Sequence, residues 1–227
     1  MMMTRKMIGR PSLVVFDLDG TLVDSMPAIR HAANSLRSEV GLPPLDRSGV
    51  AACMSGPMSE FVRRVTDTDP SPAADVVERL LRGYSRHYEE ASRDGFARPY
   101  AGATAMLNRW AELGIAIAIL TNKGEALARA SLKDTGLAGF FAADAVIGFD
   151  TLARPKPDPL PLRHLMRRFG VEADKTWMVG DSGVDILAAR AVDCVAIACR
   201  YGYGDATDHQ PDRVIDDLDD LAWMVKR

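Results

Sequence analysis

Residues 13–24 read LVVFDLDGTLVD. The first four residues are apolar without alternation, which is typical of a strand that is buried on both faces of a parallel sheet. Asp17 ends this run, and Asp19 and Gly20 follow it directly. The stretch therefore predicts a buried first strand of an α/β fold, with acidic side chains at its carboxyl end.

Four later runs repeat the pattern of the first strand, at residues 115–120, 145–147, 177–179 and 194–198. Helical patterns separate them, near residues 104–113, 124–135, 158–169 and 184–192. Strands that alternate with helices form a parallel sheet with helices on both faces. We therefore expect a Rossmann-like, doubly wound parallel sheet, with an edge strand at 213–215 and a last helix from about residue 218.

The segment from residue 25 to residue 98 departs from this alternation, because it contains no convincing apolar strand. Apolar spacing predicts helical stretches at 29–40, 59–66 and 76–88. Turn residues predict a loop at 67–74. The sequence thus predicts an all-helical cap domain of residues 25–98. The cap is inserted into an α/β core that comprises residues 1–24 and 99–227.

Composition excludes several classes of partner. The 227 residues carry a net charge of −3, with a pI near 5.8, so we expect no nucleic acid and no membrane as a partner. The three cysteines have no C-x-x-C spacing, which argues against a disulfide framework and a cysteine zinc site. No segment resembles a secretory signal or a membrane span. These features predict a cytoplasmic protein, as a monomer or a homodimer.

Polar side chains gather at the carboxyl ends of the predicted strands, where ligands bind in a doubly wound sheet. They are Asp17, Asp19, Thr121, Asn122, Asp181 and Asp185, joined by Lys156 from a proline-rich loop. Four converging carboxylates need cations or protons to compensate their charge, and Mg²⁺ is the most plausible cation because it prefers such oxygen ligands together with a substrate phosphate. Lys156, Thr121 and free backbone N–H groups from Leu18 to Gly20 can then bind the oxygens of a phosphoryl group.

Asp17 and Asp19 are spaced so that both side chains point to the same side of the chain. One carboxylate can attack phosphorus while the other transfers a proton, and Asp17, beside Lys156 and the metal, suits the nucleophile. Simpler interpretations are available for single residues: an isolated Asp can cap a helix, Thr121 can cap the helix that follows it, and Lys123 is expected to be solvated.

Four motifs occur in the order DLDGTLVDS at 17–25, TNK at 121–123, KPDP at 156–159 and GDSGVD at 180–185. Together they resemble the motifs of the haloacid dehalogenase superfamily of phosphatases. The resemblance implies that Asp17 is the nucleophile, that Asp19 is the general acid and base, and that Thr121 and Lys156 bind phosphate. It also implies that Mg²⁺ is bound by Asp17, the backbone carbonyl of Asp19 and Asp181, with Asp185 in support.

Within that superfamily, residues 98–102, 186–191 and 201–204 look most like those of phosphoglycolate phosphatases. The cap segment Ser55-Gly56-Pro57 resembles the substrate-specificity loop of that family, although its residues match poorly, and it makes Gly56 a candidate substrate contact. The resemblance implies a small phosphorylated substrate, with 2-phosphoglycolate as the best choice.

Three alternatives remain open. A phosphoryl-transfer mutase of the β-phosphoglucomutase type shares the acid pair, a phosphatase for another sugar phosphate or for pyrophosphate shares most of the motifs, and a non-catalytic regulatory protein can share the fold. Two related activities are disfavoured. A phosphonatase of this superfamily needs a cap lysine, whereas residues 24–98 contain none, and a dehalogenase lacks the second acid that Asp19 supplies here.

Overall fold

The computed structural model describes residues 8–54, 56–69 and 72–225. The chain divides into two compact units, one formed by Met1–Asp24 with Pro99–Arg227 and the other by Ser25–Arg98. We call the first the core unit and the second the helical unit. Within the described ranges, no helix combines the length and the apolarity that crossing a membrane requires.

In its described residues, the helical unit consists of α1 (Met26–Glu39), α2 (Arg47–Cys53), α3 (Met58–Val65) and α4 (Ala74–Arg93). The sequence pattern does not predict α2, because this helix has no apolar stripe and buries only Val50. Its start is fixed instead by Asp46, whose side chain accepts a hydrogen bond of 2.7 Å from the Gly49 N–H. Three residues of the predicted loops, Ser55, Pro70 and Ser71, lie outside the described residues.

The strands within the described ranges are β1 (Leu13–Phe16), β2 (Val23–Asp24), β3 (Arg98–Pro99), β4 (Ala116–Leu120), β5 (Val146–Ile147), β6 (Thr176–Gly180), β7 (Val195–Cys199) and β8 (Arg213–Ile215). Six of them form one parallel sheet in the order β5-β4-β1-β6-β7-β8. The two-residue strands β2 and β3 have no signal in the apolar pattern. Phe16 pairs with Ile119 on one side and with Val179 on the other, so the carboxyl ends of β1, β4 and β6 lie level.

The helices of the core unit are α5 (Ala103–Glu112), α6 (Glu125–Asp134), α7 (Leu160–Phe169), α8 (Gly183–Arg190) and α9 (Leu218–Met224). Leu13 belongs to a buried cluster that includes Leu162 and Leu165 of α7. On the opposite face of the sheet, Phe16 stacks on Trp110 of α5, with 5.6 Å between the ring centroids. Strand β1 is therefore buried on both faces, which confirms the predicted doubly wound α/β fold.

Candidate active site

Three buried carboxylates meet at the carboxyl edge of the sheet. Asp17 follows β1, Asp181 follows the neighbouring strand β6, and Asp185 lies in the first turn of α8. Each offers an oxygen within 4.8 Å of an oxygen of the other two, and all three residues are less than a tenth exposed. The level ends of adjacent parallel strands therefore bring together side chains that are far apart in the sequence.

Lys156 is the ammonium that contacts this carboxylate cluster. Its Nζ lies 2.7 Å from Asp17 Oδ1 and 2.5 Å from Asp185 Oδ1, and its side chain is 1% exposed. Burial alone would lower the pKa of Lys156, but the negative charges of Asp17 and Asp185 outweigh burial and raise it above the usual range. Lys156 is therefore a permanent cation that donates to two carboxylates at once.

The cluster carries more negative charge than Lys156 neutralises. Burial raises the pKa of Asp17 to about 6, against the lowering influence of Lys156. Burial, followed by the charges of Asp17 and Asp185, raises the pKa of Asp181 to about 8. Both shifts have the direction expected when ionised carboxylates are crowded together away from water.

The donor set fits a divalent cation. When all three carboxylates are ionised, one ammonium leaves two negative charges uncompensated, and all of the offered atoms are oxygens, the ligands that hard cations such as Mg²⁺ prefer. Asp19 does not add its carboxylate to this cluster. Its predicted contribution, through the backbone carbonyl, stays a prediction.

Asp185 is fixed by the helix on which it lies. Its Oδ2 accepts hydrogen bonds from the N–H (3.0 Å) and the hydroxyl (2.6 Å) of Ser182, and these bonds form a capping box at the start of α8. Its Oδ1 accepts from Lys156. This arrangement accords with a supporting place in a metal site, and it shows Ser182 as a capping residue.

Asp181 is held by a loop whose role the motif reasoning does not assign. The backbone N–H groups of Tyr203 and Gly204 donate to Asp181 Oδ2 at 2.8 and 3.1 Å. A Cβ atom at Gly202 would lie 2.2 Å from the Cβ of Asp181, and one at Gly20 would lie 2.2 Å from its Oδ2. The sequence signal is the pair of glycines just after β7, which permits backbone to approach a side chain closely.

Asp19 forms a second, separate pair with Lys123. Lys123 Nζ lies 2.7 Å from Asp19 Oδ1, and the two side chains are 4% and 18% exposed. The expectation that Lys123 is solvated is therefore wrong. It fails because Lys123 lies in the tight loop after β4, level with the end of β1, where a long side chain is enclosed by the sheet edge.

Thr121 and Asn122 organise the loop after β4. Thr121 Oγ1 accepts a hydrogen bond of 3.2 Å from the N–H of Lys123, so Thr121 does not cap α6, which begins at Glu125. Asn122 Nδ2 donates to the backbone carbonyl of Lys156 at 3.0 Å. Asn122 thus connects its own loop to the loop that carries the buried ammonium.

The expected phosphate contacts at Leu18, Gly20 and Gly56 have different surroundings. The Gly20 N–H donates to the carbonyl of Val23 at 2.9 Å, so the prediction that this N–H is free is wrong. The cause is a tight turn, in which Gly20 has a φ of +82° and the carbonyl of Leu18 accepts from the Thr21, Leu22 and Val23 N–H groups. Gly56 is an exposed residue of the helical unit with a φ of +90°.

Comparisons with known proteins agree with these observations. Residues 14–199 match the sequence model of the haloacid dehalogenase-like hydrolases. A phosphoglycolate phosphatase of Neisseria gonorrhoeae is 38% identical over 216 residues, which cover 92% of this chain and 90% of that protein. A phosphoglycolate phosphatase of Chromobacterium violaceum is 36% identical over 215 residues, with coverages of 94% and 96%.

A similar solved structure is described as a predicted phosphoglycolate phosphatase from Haemophilus somnus. It aligns with a TM-score of 0.86 and 26% identity over 99% of this chain and 100% of that chain.

Proposed function

We propose below the reaction that this chain catalyses. The chain belongs to the haloacid dehalogenase-like hydrolases and is a phosphoric monoester hydrolase of that family. The chain hydrolyses a small phosphorylated metabolite, 2-phosphoglycolate by preference, in the presence of Mg²⁺ and through a phosphorylated Asp17. The observation that carries this proposal is the buried cluster of Asp17, Asp181, Asp185 and Lys156 beside the separate pair of Asp19 and Lys123.

The first half of the reaction transfers the phosphoryl group to the protein. A carboxylate oxygen of Asp17 attacks phosphorus, and the bond between phosphorus and the ester oxygen breaks. Asp19 gives its proton to that oxygen, which leaves as an alcohol. The Lys156 ammonium, which also holds Asp17, compensates charge on the phosphoryl oxygens, and the Thr121 hydroxyl donates to them.

The second half returns the protein to its starting state. Asp19, now a carboxylate, accepts a proton from a water molecule as this water attacks the phosphorus of phospho-Asp17. The bond between phosphorus and the Asp17 oxygen breaks and inorganic phosphate leaves. The same residue thus acts as acid and then as base, and its separation from the carboxylate cluster suits this proton transfer.

Asp17, Asp181 and Asp185 would hold the Mg²⁺ ion, together with the backbone carbonyl of Asp19. When bound, the ion neutralises charge on the phosphoryl group and holds it in line with Asp17. The neighbouring capping box and the loop of Tyr203 and Gly204 fix the orientation of two of these carboxylates before any ligand arrives.

Support for the substrate comes from the relatives, which are named phosphoglycolate phosphatases. The groups proposed to act on this substrate all lie in the core unit, in the loops after β1, β4, β5 and β6 and in the first turn of α8. We place the activity in the cytoplasm, because no disulfide joins Cys53, Cys194 and Cys199 in the described part of the chain, as expected in a reducing compartment.

The mechanism is tested by replacing Asp17 with Asn, which retains the shape of the side chain and removes the nucleophile. We expect Mg²⁺-dependent release of phosphate from 2-phosphoglycolate and from p-nitrophenyl phosphate to fall by at least about 10⁴-fold. Asp134→Asn is the matched control, because Asp134 is exposed at the end of α6, and it should behave as the unmodified protein. Retained activity in Asp17→Asn, or transfer of the phosphoryl group to a hexose 1-phosphate instead of water, would contradict the proposal.

A further inference from the structure

The reaction proposed above assigns no role to Lys123, the cation that contacts Asp19. Lys123 is buried, and its ammonium donates to Asp19 Oδ1 at 2.7 Å. Asp19 could transfer protons without a lysine, and a buried ammonium is costly unless it has charged partners. The question is therefore what chemistry a fixed positive charge supplies at this position.

We propose that Lys123 binds the carboxylate of the leaving group and thereby sets the preference for a phosphorylated 2-hydroxy acid over a neutral phosphate ester. This inference rests on the proposed function, because it takes Asp19 as the residue that protonates the leaving oxygen. It goes further in that it assigns recognition of the acid to a named residue of the core unit.

Lys123 and Asp19 are close enough to contact two neighbouring groups of one small leaving group. A general acid must come within about 2.6–3.2 Å of the oxygen that it protonates. In a phosphorylated 2-hydroxy acid, a single carbon separates that oxygen from the carboxylate, so the carboxylate must also lie beside Asp19. Lys123 Nζ is one hydrogen bond away from Asp19 Oδ1, and it is thus within reach of the same place.

The chemistry of the ammonium favours an anion over a neutral hydroxyl as a further partner. An ammonium carries three N–H donors and can donate to several acceptors, so Lys123 can bind a substrate carboxylate in addition to its present partners, of which Asp19 is one. Hydrogen bonds between charged groups are about twice as strong as those between neutral groups. A leaving group that carries only a hydroxyl would gain much less from Lys123.

Lys123 is fixed in place by its own loop. Its N–H donates to Thr121 Oγ1 at 3.2 Å, and its carbonyl accepts from the Phe149 N–H at 3.1 Å. The next helix is held as well, because Asp150 Oδ1 accepts from the Glu125 N–H at 2.8 Å. These bonds on both sides of the residue orient the ammonium before a substrate arrives, which lowers the cost of binding.

The arginines of the helical unit are the other cations of interest for a carboxylate. Arg63 and Arg64 of α3 both pair with Glu60, at 2.7 and 3.5 Å. Each therefore already has a carboxylate partner within its own helix. Lys123 differs from them because its partner is the residue proposed to act on the leaving group.

The test compares two esters of equal length, 2-phosphoglycolate and 2-hydroxyethyl phosphate, which differ by a carboxylate against a hydroxymethyl group. For each protein, kcat/KM is measured on both esters with Mg²⁺, and the ratio is the selectivity. Because both values come from one sample, misfolded protein cancels from the ratio. The variants are Lys123→Met and Lys123→Arg, and Lys133→Met, at an exposed lysine of α6, is the control.

We expect the unmodified protein and Lys133→Met to prefer 2-phosphoglycolate, and we expect Lys123→Met to reduce this preference by about 10- to 100-fold. Lys123→Arg, which retains the charge, should keep part of it. An unchanged ratio in Lys123→Met, with both rates lowered equally, would overturn the inference and leave Lys123 as a positioning residue for Asp19. An unmodified protein that hydrolyses both esters equally would overturn it as well. A protein inactive on both would overturn the proposed function itself.

Discussion

Two buried lysines at the same edge of the sheet have opposite electrostatic surroundings. Lys156 contacts Asp17 and Asp185 and lies beside Asp181, so its surroundings retain an excess of negative charge. Lys123 contacts Asp19 in a pair whose charges balance. The two lysines, each beside an aspartate, therefore have different electrostatic roles. The first belongs to a carboxylate cluster that can bind a cation, and the second neutralises the charge of a single aspartate.

In the proposed mechanism, this difference separates phosphoryl transfer from proton transfer. The Lys156 site gathers carboxylates that can bind a metal beside the phosphoryl group, whereas the Lys123 pair holds the residue proposed to transfer the proton. Adjacent strands hold the two sites close together without merging them. Three substitutions break or refine this contrast.

The largest effect is expected for Lys156→Met. This change leaves Asp17 and Asp185 without the ammonium that they share, and it removes a donor to the phosphoryl oxygens, so kcat/KM should fall by roughly 10³- to 10⁴-fold. The loss should be the same on 2-phosphoglycolate and on 2-hydroxyethyl phosphate, as measured by phosphate release. A loss that differs tenfold or more between the two esters would show that Lys156 also recognises the leaving group, and the contrast with Lys123 would fail.

A smaller effect, which depends on the substrate, is expected for Asp19→Asn. General acid catalysis contributes about 10²- to 10⁴-fold, and it matters least when the leaving group is already stable as an anion. On 2-phosphoglycolate, the initial rate should therefore fall by about 10³-fold, whereas the first turnover on p-nitrophenyl phosphate should fall by about 10-fold. Rapid-quench measurement of p-nitrophenol provides that comparison. Equal losses on both substrates would argue that Asp19 does not protonate the leaving oxygen.

The smallest effect is one of stability, and it concerns Asp181→Asn in the metal-free protein. In the folded protein the pKa of Asp181 is raised from 3.8 to about 8, so the folded state binds a proton that the unfolded chain releases. The free energy of unfolding must therefore fall as the pH rises between these two values. Asn cannot ionise, and its side-chain oxygen can still accept from Tyr203 and Gly204.

Without metal at pH 8, Asp181→Asn should therefore melt about 5 °C above the unmodified protein, and the gap should narrow toward pH 5. Thermal melting in EDTA measures this difference. Added Mg²⁺ should raise the Tm of the unmodified protein and leave that of the variant unchanged. A variant that melts lower at pH 8 would contradict the view that the cluster carries excess charge.

Much of the fold can be predicted from the sequence, because the buried strands are apolar runs bounded by polar residues. β1 coincides with the run at residues 13–16, and β8 with the predicted edge strand. Helix α2 has no such signal, since its start depends on one capping bond from Asp46 and not on an apolar stripe. Local hydrogen bonds of this kind are decided by backbone geometry, which residue spacing does not show.

The residues of the site can also be predicted from the sequence, but their individual contacts cannot. The strand-end rule brings Asp17 and Asp181 to one place, and the proline-rich loop motif adds Lys156 to them. It does not reveal that the Gly20 N–H is used within its own turn, or that Lys123 is enclosed beside Asp19. Both facts depend on how a loop closes in three dimensions. The sequence therefore indicates which residues meet, and the packing determines which of their atoms are available.

The glycines around Asp181 bear on how this protein can vary over generations or in a designed library. Gly20, Gly202 and Gly204 carry no functional group, yet any side chain at these positions would occupy space that Asp181 already fills. A side chain at Gly20 or Gly202 would displace the side chain of Asp181, and one at Gly204 would displace the backbone of Asp181 and Ser182. A mutational scan should therefore find these three glycines among the positions of the chain that tolerate substitution least. Libraries that are designed for new substrates should leave them unchanged.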